Sequence, residues 1–223
     1  MRINFPHLDE SIELKQNKAN VIVIENSNIY GYVLFSLYDR TDDYVKIYDD
    51  DFNAILDKNY ITVFNPLLFD FEERKLKTIV TNYILDKINI DQSFKESIES
   101  KYIELHTLLM KYLEDNCEVD FFSNDSVDVK DILKLVGITI NQDSAVNCYE
   151  KVKLIVETLN EIAWDKLLIF TNLNMLMSEE SYKAILELIN LNSQTVLIIE
   201  GNDRYLSGES YYSLDSDFYL SKM

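Results

Sequence analysis

The clearest pattern in the chain is a run of four β-branched residues, Val21 to Ile24, which breaks on the polar corner Glu25-Asn26-Ser27-Asn28 and resumes as Tyr30, Val33, Leu34 and Leu37 at helical spacing. Four apolar residues are too few for a helix of their own, and unbroken rather than alternating apolarity fits a strand covered on both faces. The corner supplies the polar side chains that a helix entry wants. A buried, parallel-type strand, a turn and a helix folded back over the sheet are predicted. The same grammar returns between Lys166 and Glu200: LLIFTN reads as a buried strand, SEESYKAILELINL as a helix with a Ser-x-x-Glu type start, and TVLIIE as another buried strand. That is the strand-helix-strand crossover of a parallel sheet.

Weaker patterns fill in the rest. Ile3 and Phe5, then Ile12 and Leu14, predict two small strands joined by PHLDES, a hairpin on the sheet edge with Pro6 on its turn side. Tyr44 to Tyr48 alternates as a strand between acidic loops, whose D-D-x-x-x-x-x-D-D-D spacing lacks the turn glycine of a calcium loop and reads as solvated charge. Phe52 to Leu56 is expected to make a short helical turn, and Tyr60 to Phe64 a strand closed by Asn65-Pro66. From Leu67 the period changes: Phe71, Leu76, Ile79, Val80, Tyr83, Ile84 and Ile88, then Phe94, Ile98, Tyr102, Leu105, Leu108, Leu109 and Leu113, follow helical spacing. Two long helices with no strand between them predict a helical lobe at 68–140, inserted into a discontinuous sheet domain of 1–67 and 141–223. Apolar groups facing away from the helix pair offer a subunit contact. Val129, Ile132, Leu133, Leu135 and Val136 make an amphipathic helix ended by Gly137, followed by a short strand or extended link at Ile138 and Ile140. Ala145 to Ile162 is a further helix with Val152, Ile155, Val156 and Leu159 inward, and Phe218 to Leu220 a final strand. The fold class is α/β with a mostly parallel sheet.

Composition narrows the function classes. The 223 residues are 47% hydrophobic and 12% aromatic, a folded globular chain, and with four glycines and two prolines its loops must be built from Asn, Asp and Ser. The net charge of -18 argues against a generic polyanion binder but leaves room for a confined basic stripe. Cys117 and Cys148 form no C-x-x-C pair, which fits a reducing cytoplasm. No amino-terminal apolar signal and no run of about eighteen apolar residues is present, so a soluble, cytoplasmic protein without membrane contact is expected.

The chemistry that the first corner suggests is not equipped. A phosphate loop needs flexible backbone and a lysine, whereas this corner offers only Gly31 and no lysine. The strand LLIFTN ends on Thr171-Asn172 instead of a magnesium-coordinating acid, which leaves Glu200 a capping or loop role. His7 reads as a surface residue and His106 as packing or surface, and neither G-x-S-x-G nor H-E-x-x-H occurs. A non-enzyme without a nucleotide is expected. Two polar groups stand out. Glu118, Asp120, Asp125, Asp128 and Asp131 are hard oxygen ligands, with Asp128 and Asp131 on one helical face if that helix begins near Val127. The other reading has Asp125 or Ser126 capping the helix while the remaining acids meet water. Lys130 and Lys134, four apart, and Lys151 and Lys153 are ordinary surface lysines unless an assembly collects them around a hole.

RINFPHLDESIEL with NVIVIENSNIYGYVLFSLY, then EVDFFSNDSVDVKDILKLVGI, then DKLLIFTNLNMLMSEESYKAILELINLNSQTVLIIE, together resemble the small accessory protein encoded in type II-A CRISPR-Cas loci, over essentially the whole chain and in the same order. The resemblance implies a head like the sheet of a phosphate-loop ATPase without its nucleotide chemistry, and an inserted helical leg. It implies a homotetrameric ring that takes double-stranded DNA ends into a central hole, is stabilised by Ca2+, and serves spacer acquisition in antiviral defence with the system's integrase and effector nuclease. Carried onto this chain, Glu118, Asp120, Asp128 and Asp131 fall where the family's metal is expected, and Lys130, Lys134, Lys151 and Lys153 are the DNA contacts by location. The charge of -18 per chain sets against this a scaffold whose acidic surface recruits the integrase and nuclease with little direct DNA contact. A hydrolase with an unrecognised nucleotide site is the third reading.

Overall fold

The first strands of the chain build a sheet of their own. The computed structural model describes residues 1–5, 8, 11–55, 59–119, 121–123, 128–192, 194–206, 210–217 and 219–223. Strand β1 (Arg2–Asn4) pairs antiparallel with β2 (Ile12–Glu13) on one side and with β4 (Lys46–Tyr48) on the other. The expected hairpin is present, but it lies beside β4 and not on the edge of the parallel sheet. Ile3, Ile12 and Ile47 drop into the same apolar cluster as Ile22 and Ile24, so the small sheet covers the core. Pro6 and His7 lie outside the described residues. The helical turn expected from Phe52 does not form. Asp49 Oδ1 accepts from the N–H groups of Asp51 and Asn53 at 2.9 and 2.8 Å, and Ala54 returns to bridge Tyr48, a tight Asx-type reversal. Leu56 is not among the described residues.

The main sheet has the order β5-β6-β7-β3-β8-β9, with β3 at Ala19–Ile24, β5 at Tyr60–Val63, β6 at Leu167–Thr171, β7 at Val196–Glu200, β8 at Tyr212–Leu214 and β9 at Leu220–Lys222. It is parallel from β5 through β8, and β9 alone runs antiparallel. Every residue of β6 and β7 is buried, as continuous apolarity requires of strands covered on both faces. Each fully buried Ile or Leu there contributes about 1.5–3 kcal/mol of transfer free energy. Asn20 fixes the entry to β3: its Nδ2 donates to the carbonyls of Lys15, Lys18 and Val196 at 3.0–3.1 Å while its Oδ1 accepts from the Lys15 N–H at 2.7 Å. A buried amide so placed is satisfied on every side. β8 has no counterpart in the sequence pattern. The last strand starts at Leu220, two residues beyond Phe218, which is not described.

Helices on this unit follow their apolar spacing. α1 (Ser27–Asp39) buries Ile29, Val33 and Leu37, and α5 (Cys148–Glu161) buries Val152, Ile155, Val156 and Leu159. α5 begins at Cys148 and not at Ala145 because Asn147 Oδ1 caps it, accepting from the Glu150 N–H at 2.9 Å. A short α6 (Leu173–Leu176) precedes α7 (Glu179–Leu191), whose cap Ser178 accepts from the Ser181 N–H at 3.2 Å. The third helical position is therefore Ser181, so the expected Ser-x-x-Glu box is a Ser–Ser pair, Oγ to Oγ at 3.0 Å.

The chain divides into two compact units, 1–69 with 142–223 and 70–141. The second is all helical: α2 (Arg74–Ile90), α3 (Gln92–Asn116) and α4 (Val129–Val136). α2 starts later than the apolar pattern suggests, since Pro66–Leu68 makes a 3-10 turn capped by Asn65. Ile88, Val129 and Leu133 form a small core with Ile84, Leu85 and Ile98. α3 buries no residue along its 25-residue length. Gly137 takes the left-handed conformation at φ +67 that ends α4, and Ile138 to Ile140 is irregular rather than a strand.

Candidate functional site

The corner after β3, where many α/β proteins hold a phosphate, is closed by its own side chain. Asn26 Oδ1 accepts from the N–H groups of Asn28 and Ile29 at 2.9 and 3.2 Å, the amides that would face an anion at a helix start. Two strands along the sheet, after β6, Asn172 sits in the left-handed region at φ +57, a conformation an asparagine tolerates, and leads into α6. Glu200, at the end of β7, is fully buried. Its Oε1 accepts from the Asn174 N–H at 3.1 Å, and Asn174 is in the first turn of α6. Glu200 thus caps α6 from a neighbouring strand. Burial pushes its carboxyl up to about 8, against the pull of hydrogen bonds from Asn174, Tyr182 and Leu173. Tyr30, burdened by burial and by the nearby Glu200, is also raised, and its hydroxyl donates to the Ile199 carbonyl at 3.4 Å. A carboxyl kept largely neutral at pH 7 is suited to holding a turn in place.

The four acids singled out for a metal have local duties or fall outside the described residues. Asp128 is the N-cap of α4, Oδ1 accepting from the Lys130 N–H at 2.8 Å, so α4 begins at Val129 and not near Val127. Asp128 is thereby off the helical face it was expected to share with Asp131. Asp131 Oδ1 accepts from Lys134 Nζ at 2.7 Å on the surface. Glu118 is exposed. Asp120, and the alternative caps Asp125 and Ser126, are not described. Among the described residues no group of three or more His, Cys, Asp or Glu is arranged to hold a metal. The described acids therefore do not fit a preformed calcium site. His106 stacks on Tyr102 with ring centroids 6.1 Å apart, and Cys148 is a buried thiol that burial pushes up to about 11.

The four lysines fall into two pairs on different units. Lys151 is buried on α5, with its Nζ donating to Gln142 Oε1, and Lys153 is half-buried on the same helix. Lys130 and Lys134 line a groove of about 350 Å³ between α2 and α4. Asp131 raises the pKa of Lys134 by hydrogen bond and charge, with Asp128 adding to it. Two cations from α2, Arg74 and Lys77, line the same groove and are absent from the sequence-based set. The available signal is R-K-L-K at the start of an apolar helical period, which puts Arg74 and Lys77 on one face.

The chain is 24% identical to a CRISPR-associated protein Csn2 of Streptococcus agalactiae, covering 99% of this chain and 97% of the relative. It is 26% identical to one of Enterococcus faecalis, covering 99% and 98%. The fold matches a crystal structure of Stu0660 of Streptococcus thermophilus with a TM-score of 0.66 at 18% identity, over 100% of this chain and 76% of that one. The sequence model of the CRISPR-associated protein family Cas_Csn2 matches residues 37–218, most of the chain, and the protein belongs to that family.

Proposed function

We propose that this protein is a non-catalytic, ring-forming binder of double-stranded DNA ends that supports spacer acquisition in the cytoplasm. A CRISPR-associated protein works within a CRISPR system, and the integrase and effector nuclease of that system are its partners on this reading. The observation that carries the DNA reading is the convergence of cations in the α2/α4 groove of a chain whose net charge is -18. Segregated lysines and arginines are what a polyanion needs from an otherwise acidic protein. Assembly into a homotetramer is supported by α3, which packs Ile98 on the small core but has no fully buried residue while exposing Phe94, Leu105, Leu108 and Tyr112. The head is read as the sheet of a phosphate-loop ATPase reused as structure, in keeping with the corner closed by Asn26. Calcium on the acidic stretch would have to draw on Asp120 or on acids of another copy.

Binding of linear and of closed circular duplex of the same sequence, measured with calcium and then with chelator, tests this. Preference for the linear form, strengthened by calcium, is expected. Equal binding of both forms overturns the end-binding ring, and binding of neither overturns it in favour of an acidic scaffold for the integrase and nuclease, the reading that the net charge favours.

A further inference from the structure

We infer that the outer face of α1, together with Tyr44 beside it, is a docking surface for an arginine-bearing segment of a partner protein. This rests on the part of the reading above that gives the chain protein partners, and it supplies the place and the chemistry of one such contact.

Three observations meet on this face. The first is a group of bare rings: Tyr32, Phe35 and Tyr38 of α1 are each more than half exposed. Tyr44 stacks on Tyr32 with ring centroids 4.6 Å apart and planes 14° from parallel, and Phe64 meets Tyr38 edge to face at 5.9 Å. These rings are held in place without being covered, so a partner has little side-chain freedom left to remove. The second is Gly31, in the second turn of α1. Glycine inside a helix destabilises it relative to alanine, yet a Cβ here would meet no atom within 4 Å, so nothing among the described residues requires the glycine. It opens a surface groove of about 570 Å³ bordered by Asn28, Tyr32, Phe35 and Tyr44. The third is charge. Between Glu25 and Val45 the chain carries four acids, Glu25, Asp39, Asp42 and Asp43, against one cation, Arg40. Asp39, Asp42 and Asp43 are exposed and, among the described residues, form no ion pair. Asp39 ends α1 at the negative pole of the helix dipole, with no basic residue in the last turn to offset it.

Acids beside bare aromatic faces select a cation. Elsewhere the chain supplies its own: Arg2 lies over Phe52 at 4.9 Å from the ring centroid, and Arg204 over Tyr205 at 4.6 Å. Among the described residues, no cation covers Tyr32, Phe35, Tyr38 or Tyr44. Arginine fits better than lysine, because a guanidinium stacks flat on a ring while its N–H groups still reach a carboxylate. A second copy of the chain is a poor occupant, since a symmetric contact would bring Asp42 and Asp43 towards like charges in a protein of net charge -18.

The test uses the full chain and matched fluorescein-labelled Gly-Ser peptides of about a dozen residues that carry arginine, lysine or glutamate. By fluorescence anisotropy, the arginine peptide is expected to bind several-fold more tightly than the lysine peptide, and the glutamate peptide not to bind. Tyr32→Ala with Phe35→Ala should weaken arginine-peptide binding roughly tenfold. Asp42→Asn with Asp43→Asn should weaken it about threefold at low salt, and less as salt rises. Gly31→Ala should raise the melting temperature by about 1–4 °C through helix propensity while weakening the peptide, two signs that damage to the fold would not produce together. Equal binding of the arginine and lysine peptides, or binding unchanged in the ring variant, reduces the contact to attraction by net charge and overturns the inference. A ring variant that dissociates an oligomer in sedimentation yet keeps the peptide reassigns the face to a contact between copies. Peptide binding without duplex binding by the wild type overturns the end-binding ring alone, and duplex binding without peptide binding overturns the docking surface alone.

Discussion

The sheet unit and the helical unit spend their side chains in opposite ways. In the first, β6 and β7 are buried throughout, and polar groups such as Asn20, Asn174 and Glu200 bond to the unit's own backbone. In the second, the longest helix has no fully buried residue, and two of the groove's cations, Lys77 and Lys134, are paired on the surface. Parallel sheets demand cover on both faces, so the strands of the first unit are spent on its own core. A unit whose described buried apolar residues are Phe71, Leu76, Val80, Ile88, Val129 and Leu133 leaves most of the apolar and charged groups of α3 outward.

The sharpest way to break this contrast is to truncate one apolar residue in each unit. Ile198→Ala, at a fully buried position of β7, should cost about 2–5 kcal/mol in urea unfolding. Leu108→Ala on α3, 66% exposed, should change the unfolding of the single chain by no more than about 0.5 kcal/mol. A larger loss that grows on dilution would place Leu108 in a contact between copies. A large loss independent of concentration would contradict the description of α3 as unburied.

A second, smaller effect probes the polar side of the contrast. Glu200 is raised in the folded state to about 8, above its ordinary value near 4.5, so the folded chain binds the proton more tightly than the unfolded chain does. Its favourable contribution is complete below about pH 4.5 and is lost as pH rises through about 8. Glu200→Gln keeps the shape of the neutral acid and removes the titration. Wild type should lose stability, on the order of a few kcal/mol, between pH 5 and pH 9 relative to the variant. Parallel stability curves would mean that the carboxyl is solvated and that the sheet edge is more open than its burial indicates.

The same contrast explains what the sequence reveals. Buried strands announce themselves through unbroken β-branched runs, and Val21 to Ile24 and the LLIFTN and TVLIIE segments are legible for that reason. Partner choice leaves no such mark: nothing in RINF distinguishes a strand that pairs with the parallel sheet from one that pairs with β4. Helix limits are set by single side chains, Asn65 and Asn147 among them, which periodicity cannot weigh. Within the candidate site, Lys130 and Lys134 are visible as a pair four residues apart. Arg74 and Lys77 join them only through the packing of α2 against α4, between residues more than fifty positions apart. Lys151 looks equivalent to Lys153 on its stripe, but the helix turns it inward to Gln142.

The smallest effect separates structure from function at a residue with a claim to both. Asp128 caps α4, and it is also one of the four acids expected near a calcium ion. Asparagine caps a helix about as well as aspartate, whereas alanine does not, so Asp128→Ala should cost about 1 kcal/mol and Asp128→Asn only a few tenths. If the cap is its whole role, any rise in melting temperature on adding calcium will be the same for the Asn variant and the wild type. If Asp128 is a ligand, the Asn variant will keep its calcium-free stability and lose the increment, because the stabilisation by a bound ion falls directly with its affinity. The helical unit would then be holding one acid for two purposes, and its surface groups would be less free than those of the α2/α4 groove.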